Sequence, residues 1–129
     1  MGLDMYLKGE KFFTNFDGER PQEDGFDVSR HELELGYWRK HPNLHGYIVQ
    51  NFADGVDECQ DIELSAENLE QIMQAVKECA LPTTTGFFFG TSDGTEVEED
   101  LKILGGALRW LKKEKEKGVC KSVKYRASW

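Results

Sequence analysis

The segment from Val97 to Leu111 most restricts what this chain can fold into. Its apolar residues recur at alternating spacings of four and three residues: Val97, Leu101, Leu104, Leu108 and Leu111. This spacing predicts a long α-helix with one apolar face. Acidic residues precede that face and lysines follow it, as the helix dipole favours, and Gly118 is a plausible stop. Such a helix has to bury its apolar face against another layer.

Gly105 and Gly106 interrupt the middle of this predicted helix. A glycine costs about 1 kcal/mol relative to alanine in a helix interior. We therefore expect either that another backbone packs closely there or that the helix bends.

The other layer is predicted by segments in which apolar and polar residues alternate. Alternation of this kind indicates half-buried strands, and it occurs in four places: Leu3–Leu7, Leu33–Tyr37, Gln60–Leu64 and Val119–Tyr125. In the second segment the pattern assigns Leu33, Leu35 and Tyr37 to the buried face.

Two further helices are predicted between these strands. Leu44, Ile48 and Phe52 recur every four residues behind Pro42, a residue that a helix tolerates in its first turn. Ser65 is a good N-cap for a second helix, which we expect to end near Ala80. The segment LPTTTGFFFG before the long helix has the length of a strand but would equally suit a buried loop.

The resulting order predicts an α+β fold, with a mostly antiparallel sheet of four or five strands and about three helices packed on it. A chain of 129 residues forms a single domain by its length. Residues 15–29 are rich in Asp, Glu, Gly and Pro, and we expect a flexible loop there.

The composition argues against several functional classes. The net charge of −8 repels polyanions, so direct nucleic-acid binding is not expected. No stretch is apolar enough to span a membrane, and the first residues do not have the pattern of a signal peptide. The three cysteines match neither a zinc motif nor a disulfide framework and predict reduced thiols in a cytoplasm.

Catalytic and metal-binding signatures are absent from the sequence. It contains no GxSxG, HExxH, P-loop or Rossmann motif. GTSDG resembles a phosphate-binding turn, but the carboxylates that follow it favour a plain turn and cap. His41, His45, Asp57 and Cys59 are the residues that a metal or nucleophilic site would use, yet nothing in their spacing places them together. We therefore expect no metal, no cofactor and no catalytic residue.

The stretch ELGYWRKHPNLHGYIVQ concentrates basic and aromatic side chains in an acidic chain. Arg and aromatic rings bind planar anionic ligands, and they are also typical of protein interfaces. We predict a binding site formed by seven residues of this stretch and of the turn after it: Tyr37, Trp38, Arg39, Lys40, His45, Asp57 and Cys59. The alternative is that Trp38 belongs to the core and Arg39 pairs with an acid.

Several segments in the same order resemble a family of small bacteriophage and bacterial proteins. They are MGLDMYL, ELGYWRKHPNLHGYIV, DGVDECQ, LPTTTGFFFG and YRASW. The positions typical of the family correspond here to Tyr37, Trp38, Arg39, Lys40, His45, Asp57, Cys59, Pro82, Gly86, Phe87, Phe88, Phe89, Gly90, Ser128 and Trp129. The loop after GFFFG departs from the family pattern, being poorer in Tyr and Trp. The resemblance implies a phage or prophage setting in the host cytoplasm and identifies no reaction.

Three functional hypotheses follow. We favour a non-enzymatic accessory protein that binds a host or defence protein, or a small anionic, nucleotide-like ligand. One alternative is a small enzyme that uses His45, Asp57 and Cys59, which would place His45 within hydrogen-bonding distance of Asp57 or Cys59 in a concave pocket. Another is an acidic mimic of nucleic acid that inhibits a defence complex, which would align carboxylates on one face.

Overall fold

A computed structural model describes residues 3–13, 21–39, 41–81, 97–113 and 119–129. Its elements are, in chain order, β1 (Asp4–Phe13), β2 (Gln22–Glu23), β3 (Phe26–Asp27), β4 (Arg30–Arg39), α1 (Pro42–Phe52), β5 (Ile62–Leu64), α2 (Ala66–Lys77), α3 (Val97–Lys112) and β6 (Val119–Ser128). None of the helices in these ranges is both long and apolar enough to cross a membrane.

Four of the strands form one antiparallel sheet in the order β4-β1-β6-β5. The predicted α+β class is therefore confirmed, and the described residues form three helices and a main sheet of four strands. The remaining two strands form a hairpin, in which Gln22 pairs with Asp27 and Glu23 with Phe26. This hairpin lies within the segment predicted to be a flexible loop, and its left-handed turn residues are Asp24 and Gly25.

A β-bulge in β4 overturns one detail predicted from the alternation. Leu7 pairs with Gly36 and Lys8 with Glu34, so Leu35 is an extra residue in β4. An extra residue shifts the phase of a strand, because successive side chains point to opposite faces. Trp38 is consequently the buried residue at 6% exposure, and Tyr37, which we expected inside, is 43% exposed.

Two glycines, one on β1 and one on β4, allow α3 to lie close to these two strands. A Cβ atom on Gly36 would collide with Ile103, and one on Gly9 would lie 2.8 Å from the ring of Trp110. Inward side chains of the sheet, such as Met5 and Tyr125, join buried residues of all three helices in a single hydrophobic core. We call this side of the sheet the inner face.

The helix starts follow the predicted capping chemistry. Pro42 occupies the first turn of α1, and Ser65 caps α2 through a reciprocal pair of hydrogen bonds with Asn68. The second helix ends at Lys77, earlier than the expected end near Ala80.

The two glycines inside α3 are not explained by a close backbone. The nearest atoms to a Cβ on Gly105 or Gly106 would belong to the side chains of Arg109 and Met73, at ordinary contact distances of 3.6–3.8 Å. Of the two expected explanations, the close approach of another backbone is therefore wrong, and a bend of the helix stays a prediction. Several other predicted features, namely Lys40, the segment from Pro82 to Gly94 and the stop at Gly118, lie outside the described residues.

Candidate functional site

The residues predicted as one binding site lie in two different environments. Tyr37 and Arg39 are exposed on β4, on the side of the sheet opposite the core. Trp38 and His45 are buried among core residues. Asp57 is half-buried against His45, and the half-buried Cys59 has a left-handed backbone with φ of 58°. Cys59 lies beyond the turn that follows α1, and Lys40 is outside the described ranges.

His45 is held between a carboxylate and a tyrosine. Its Nε2 atom lies 3.0 Å from both carboxylate oxygens of Asp57, and its Nδ1 atom lies 2.6 Å from the hydroxyl of Tyr125. A carboxylate only accepts hydrogen bonds, so Nε2 carries a proton. In the neutral ring Nδ1 then accepts from the Tyr125 hydroxyl. Burial raises the pKa of Tyr125 well above its usual value, with a smaller contribution from the Asp57 charge.

A second buried cluster joins α1, α3 and β4. Asp100 accepts one hydrogen bond of 2.8 Å from the indole Nε1–H of Trp38, and its other oxygen lies 2.7 Å from His41 Nε2. The side chains of His41 and Asp100 are 4% and 2% exposed. His41 precedes α1 with a non-helical backbone, so it can reach away from the helix towards α3.

Sequence reasoning missed both Asp100 and Tyr125 as partners of these histidines. A signal for Asp100 was present, because it lies three residues after Val97 and four before Leu104, on the apolar face of α3. An acid in that position needs a buried partner. Nothing in the sequence pairs Tyr125 with His45, which comes from a distant part of the chain.

Asp57, His45 and Tyr125 form a hydrogen-bonded chain of the kind that can relay a proton. His45 and Tyr125, however, are buried in the core. A catalytic relay ends in a group that touches substrate. Here the exposed end is the Asp57 carboxylate, whose side chain is 30% exposed, whereas Tyr125 is fully buried. The distance expected of the enzyme hypothesis is thus present, while the hydroxyl faces the interior.

The opposite side of the sheet carries the accessible aromatic and basic groups. We call it the outer face and define it by the side chains that alternate with the core residues: Asp4, Tyr6, Lys8, Glu10, Glu32, Glu34, Tyr37, Arg39, Lys124, Arg126 and Ser128. On it the Tyr37 hydroxyl donates to the Asp4 carboxylate at 2.5 Å, and Arg39 pairs with the same carboxylate at 3.3 Å. The hydrogen bond to Asp4 raises the pKa of Tyr37.

Two neighbouring cavities open on the outer face. One, of about 430 Å³, is lined by Tyr6, Lys8, Glu32, Glu34, Arg126 and Ser128. The other, of about 240 Å³, shares Lys8, Glu32 and Arg126 and adds Glu10, Arg30, Asp61 and Lys124. Ion pairs cross these cavities, from Lys8 to Glu32 at 3.0 Å and from Lys124 to Glu10 at 3.3 Å. Acids and bases therefore alternate over this surface.

Within the described ranges, no group of three or more His, Cys, Asp or Glu side chains is arranged to hold a metal ion. The two buried histidines each lie against a carboxylate, His41 against Asp100 and His45 against Asp57.

Comparison with known proteins adds no relative. No protein-family model matches the chain, and neither the curated proteins nor the solved structures contain a match to it.

Proposed function

We propose that this protein is a non-enzymatic accessory protein that binds another protein through the outer face of its sheet. In the phage or prophage setting that the sequence resemblance implies, the bound protein is a host or defence protein in the host cytoplasm. The observation that supports this most is the placement of Tyr6, Tyr37, Arg39 and Arg126 on a single side of the sheet. Tyrosine and arginine are the residues that contribute most to protein interfaces.

The outer face favours a protein over a nucleotide-like ligand. The cavity that contains Tyr6 and Arg126 also contains the carboxylates of Glu32 and Glu34. They balance the two bases of the lining, Lys8 and Arg126, so the cavity has no excess of positive charge to attract the phosphate of a nucleotide. A protein surface can instead present both signs of charge and match such an alternating pattern.

The two alternative hypotheses receive less support from the geometry. An enzyme built on His45 would require a substrate to reach the imidazole, and the His45 side chain is only 2% exposed. A mimic of nucleic acid would require aligned carboxylates, and the outer face interrupts its acids with Lys8, Lys124, Arg39 and Arg126. The burial of His45 and the mixed charges of the outer face therefore support recognition of a protein partner.

The test is capture followed by quantitative binding. Tagged wild-type protein is used to isolate partners from host lysate, and native mass spectrometry identifies a stoichiometric complex. The captured protein is then purified and titrated against variants of the outer face. Tyr37→Ala and Arg126→Glu should each weaken its binding by about tenfold or more, because they remove interface anchors of the kind that dominate affinity.

Lys102→Glu is the matched control, because Lys102 is exposed on α3 and lies on the helical layer instead of the outer face. It changes net charge by the same amount as Arg126→Glu and should leave the affinity unchanged. Equal losses for Lys102→Glu and Arg126→Glu would point to a non-specific charge effect and count against the proposed surface. A wild-type protein that retains no partner would count against the proposed function itself.

A further inference from the structure

The hairpin formed by β2 and β3 displays an aromatic side chain away from the core. Phe26 is 75% exposed, more than Leu33, Tyr37 or Val56, the other large hydrophobic residues exposed in the described part of the chain. It follows the Asp24–Gly25 turn directly. Neither strand of the hairpin makes extensive contact with the sheet or the helices.

The backbone that carries this ring is held by local interactions. Asp24 and Gly25 have φ angles of 51° and 85°, the left-handed geometry of a tight hairpin turn. A hydrogen bond of 3.0 Å from the Gln22 side chain to the Asp27 carboxylate crosses the hairpin. The backbone N–H of Val28 donates to the carbonyl of Pro21 at 2.8 Å and closes its base. Because the backbone is already ordered, less conformational entropy is lost when the ring enters a pocket.

The surroundings of Phe26 are acidic. Glu23, Asp24 and Asp27 are all exposed, and none of them forms an ion pair with a described basic residue. A hollow of about 380 Å³ beside the ring is walled by these three carboxylates together with Phe26, Val28, Ser29 and Arg30. Its charged walls carry three acids and one base, so the hollow favours a cationic side chain.

The geometry points to the hairpin as a contact site that inserts Phe26 into an apolar pocket of the bound protein. That pocket has a basic rim, from which a lysine or arginine side chain enters the acidic hollow beside the ring. This inference rests on the proposed function, since it specifies the chemistry of the partner. It goes beyond that function in adding a second contact region, which begins immediately before β4.

The test uses the full chain with the photo-crosslinking residue p-benzoylphenylalanine in place of Phe26 or, as control, of Val56. Val56 is also exposed, at 46%, but lies in the turn after α1. Irradiation in host lysate should give a crosslinked protein from position 26 and not from position 56. The protein crosslinked from position 26 is then purified and titrated.

In that titration, Phe26→Ala should weaken binding about 30-fold or more, the effect of truncating an aromatic anchor. Phe26→Trp should retain most of the affinity, since it keeps an aromatic ring. Asp24→Asn should slow association and reduce its dependence on salt, because a charge next to the contact is lost. All these positions are exposed, so the fold is expected to survive the substitutions.

Two outcomes overturn the inference. One is an unchanged dissociation constant for Phe26→Ala, and the other is crosslinking from position 26 that does not exceed that from position 56. If Tyr37→Ala weakens binding while Phe26→Ala does not, the hairpin site is wrong and the outer face stands. If Phe26→Ala weakens binding while Tyr37→Ala does not, the outer face is the part that fails.

Discussion

Asp100 shows how one side chain can connect three elements. From α3 it accepts a hydrogen bond from Trp38 on β4 and contacts His41 at the start of α1. Its residue is 1% exposed, so water cannot replace either partner. A carboxylate in such a place stabilises the fold only while both partners are present.

Removing this carboxylate should be costly. We expect Asp100→Ala to lower the free energy of unfolding by about 3–5 kcal/mol, because Trp38 and His41 would keep buried polar atoms without their acceptor. Urea denaturation followed by tryptophan fluorescence measures the change. Glu99→Ala is the control: this neighbouring acid is exposed, and its loss should cost less than about 0.5 kcal/mol. Similar losses for the two variants would show that the cluster adds nothing.

The raised pKa of Tyr125 predicts that the protein loses stability at alkaline pH. Its pKa is raised in the folded state, so its contribution is complete below the unfolded value of about 10 and is lost as pH rises towards the folded value. Over that interval the free energy of unfolding should fall by about 1.4 kcal/mol per pH unit from this residue. Urea titrations between pH 8 and pH 11 measure the slope.

Tyr125→Phe should flatten that slope by the same amount. The variant should also be less stable near pH 7, by about 1–3 kcal/mol, because His45 loses its partner at Nδ1. Tyr6→Phe keeps the buried phenol and should retain the wild-type slope. If Tyr125→Phe and wild type showed parallel pH profiles, ionisation of Tyr125 would not be the cause of the alkaline loss.

At the scale of elements, glycine has opposite effects in β4 and in α3. Gly36 allows Ile103 of α3 to approach the sheet, where a Cβ atom would collide with it. Gly106 lies within α3, and a Cβ there would meet only the end of Arg109 at 3.8 Å. The first glycine is needed for packing, whereas the second only weakens its helix.

This contrast predicts substitutions of opposite sign. Gly36→Ala should destabilise the protein by about 1–3 kcal/mol, the usual cost of overpacking a core. Gly106→Ala should stabilise it by about 0.5–1 kcal/mol, through the better helix propensity of alanine. Chemical denaturation of both variants beside wild type tests the pair. If Gly106→Ala were instead less stable than wild type, α3 would require glycine at this position for a reason other than lack of space.

The strand β4 also shows where sequence reasoning stops. Alternation identified the strand correctly, but two of its three residues predicted to be buried are exposed: Leu33 is 38% exposed, and Tyr37, which follows the bulge at Leu35, is 43% exposed. A bulge depends on how the neighbouring strand pairs, which the local pattern does not contain. The bulge also divided the predicted binding site, because it placed Tyr37 on the exposed side of β4 and Trp38 on the buried side.

For the whole molecule, the periodicity of apolar residues predicted the helices and strands. It did not predict which side chains from distant parts of the chain contact one another. Apolar spacing correctly predicted α1 with Pro42 in its first turn and α2 with Ser65 as its cap. The pairing of His45 with Tyr125 joins residues distant in the chain and depends on which strands become neighbours. The same holds for the outer face, because its members come from separate strands.

The position of β1 in the sheet has a consequence for assembly. This strand is the first in the chain, yet it lies between β4 and β6, the last strand. During synthesis, β1 can pair with β4 long before β6 leaves the ribosome. Until then Met5 and Leu7 have one open flank, and the nascent chain exposes apolar surface. Completion of the sheet around β1 therefore waits for β6, and a chain truncated before β6 would keep this apolar surface exposed.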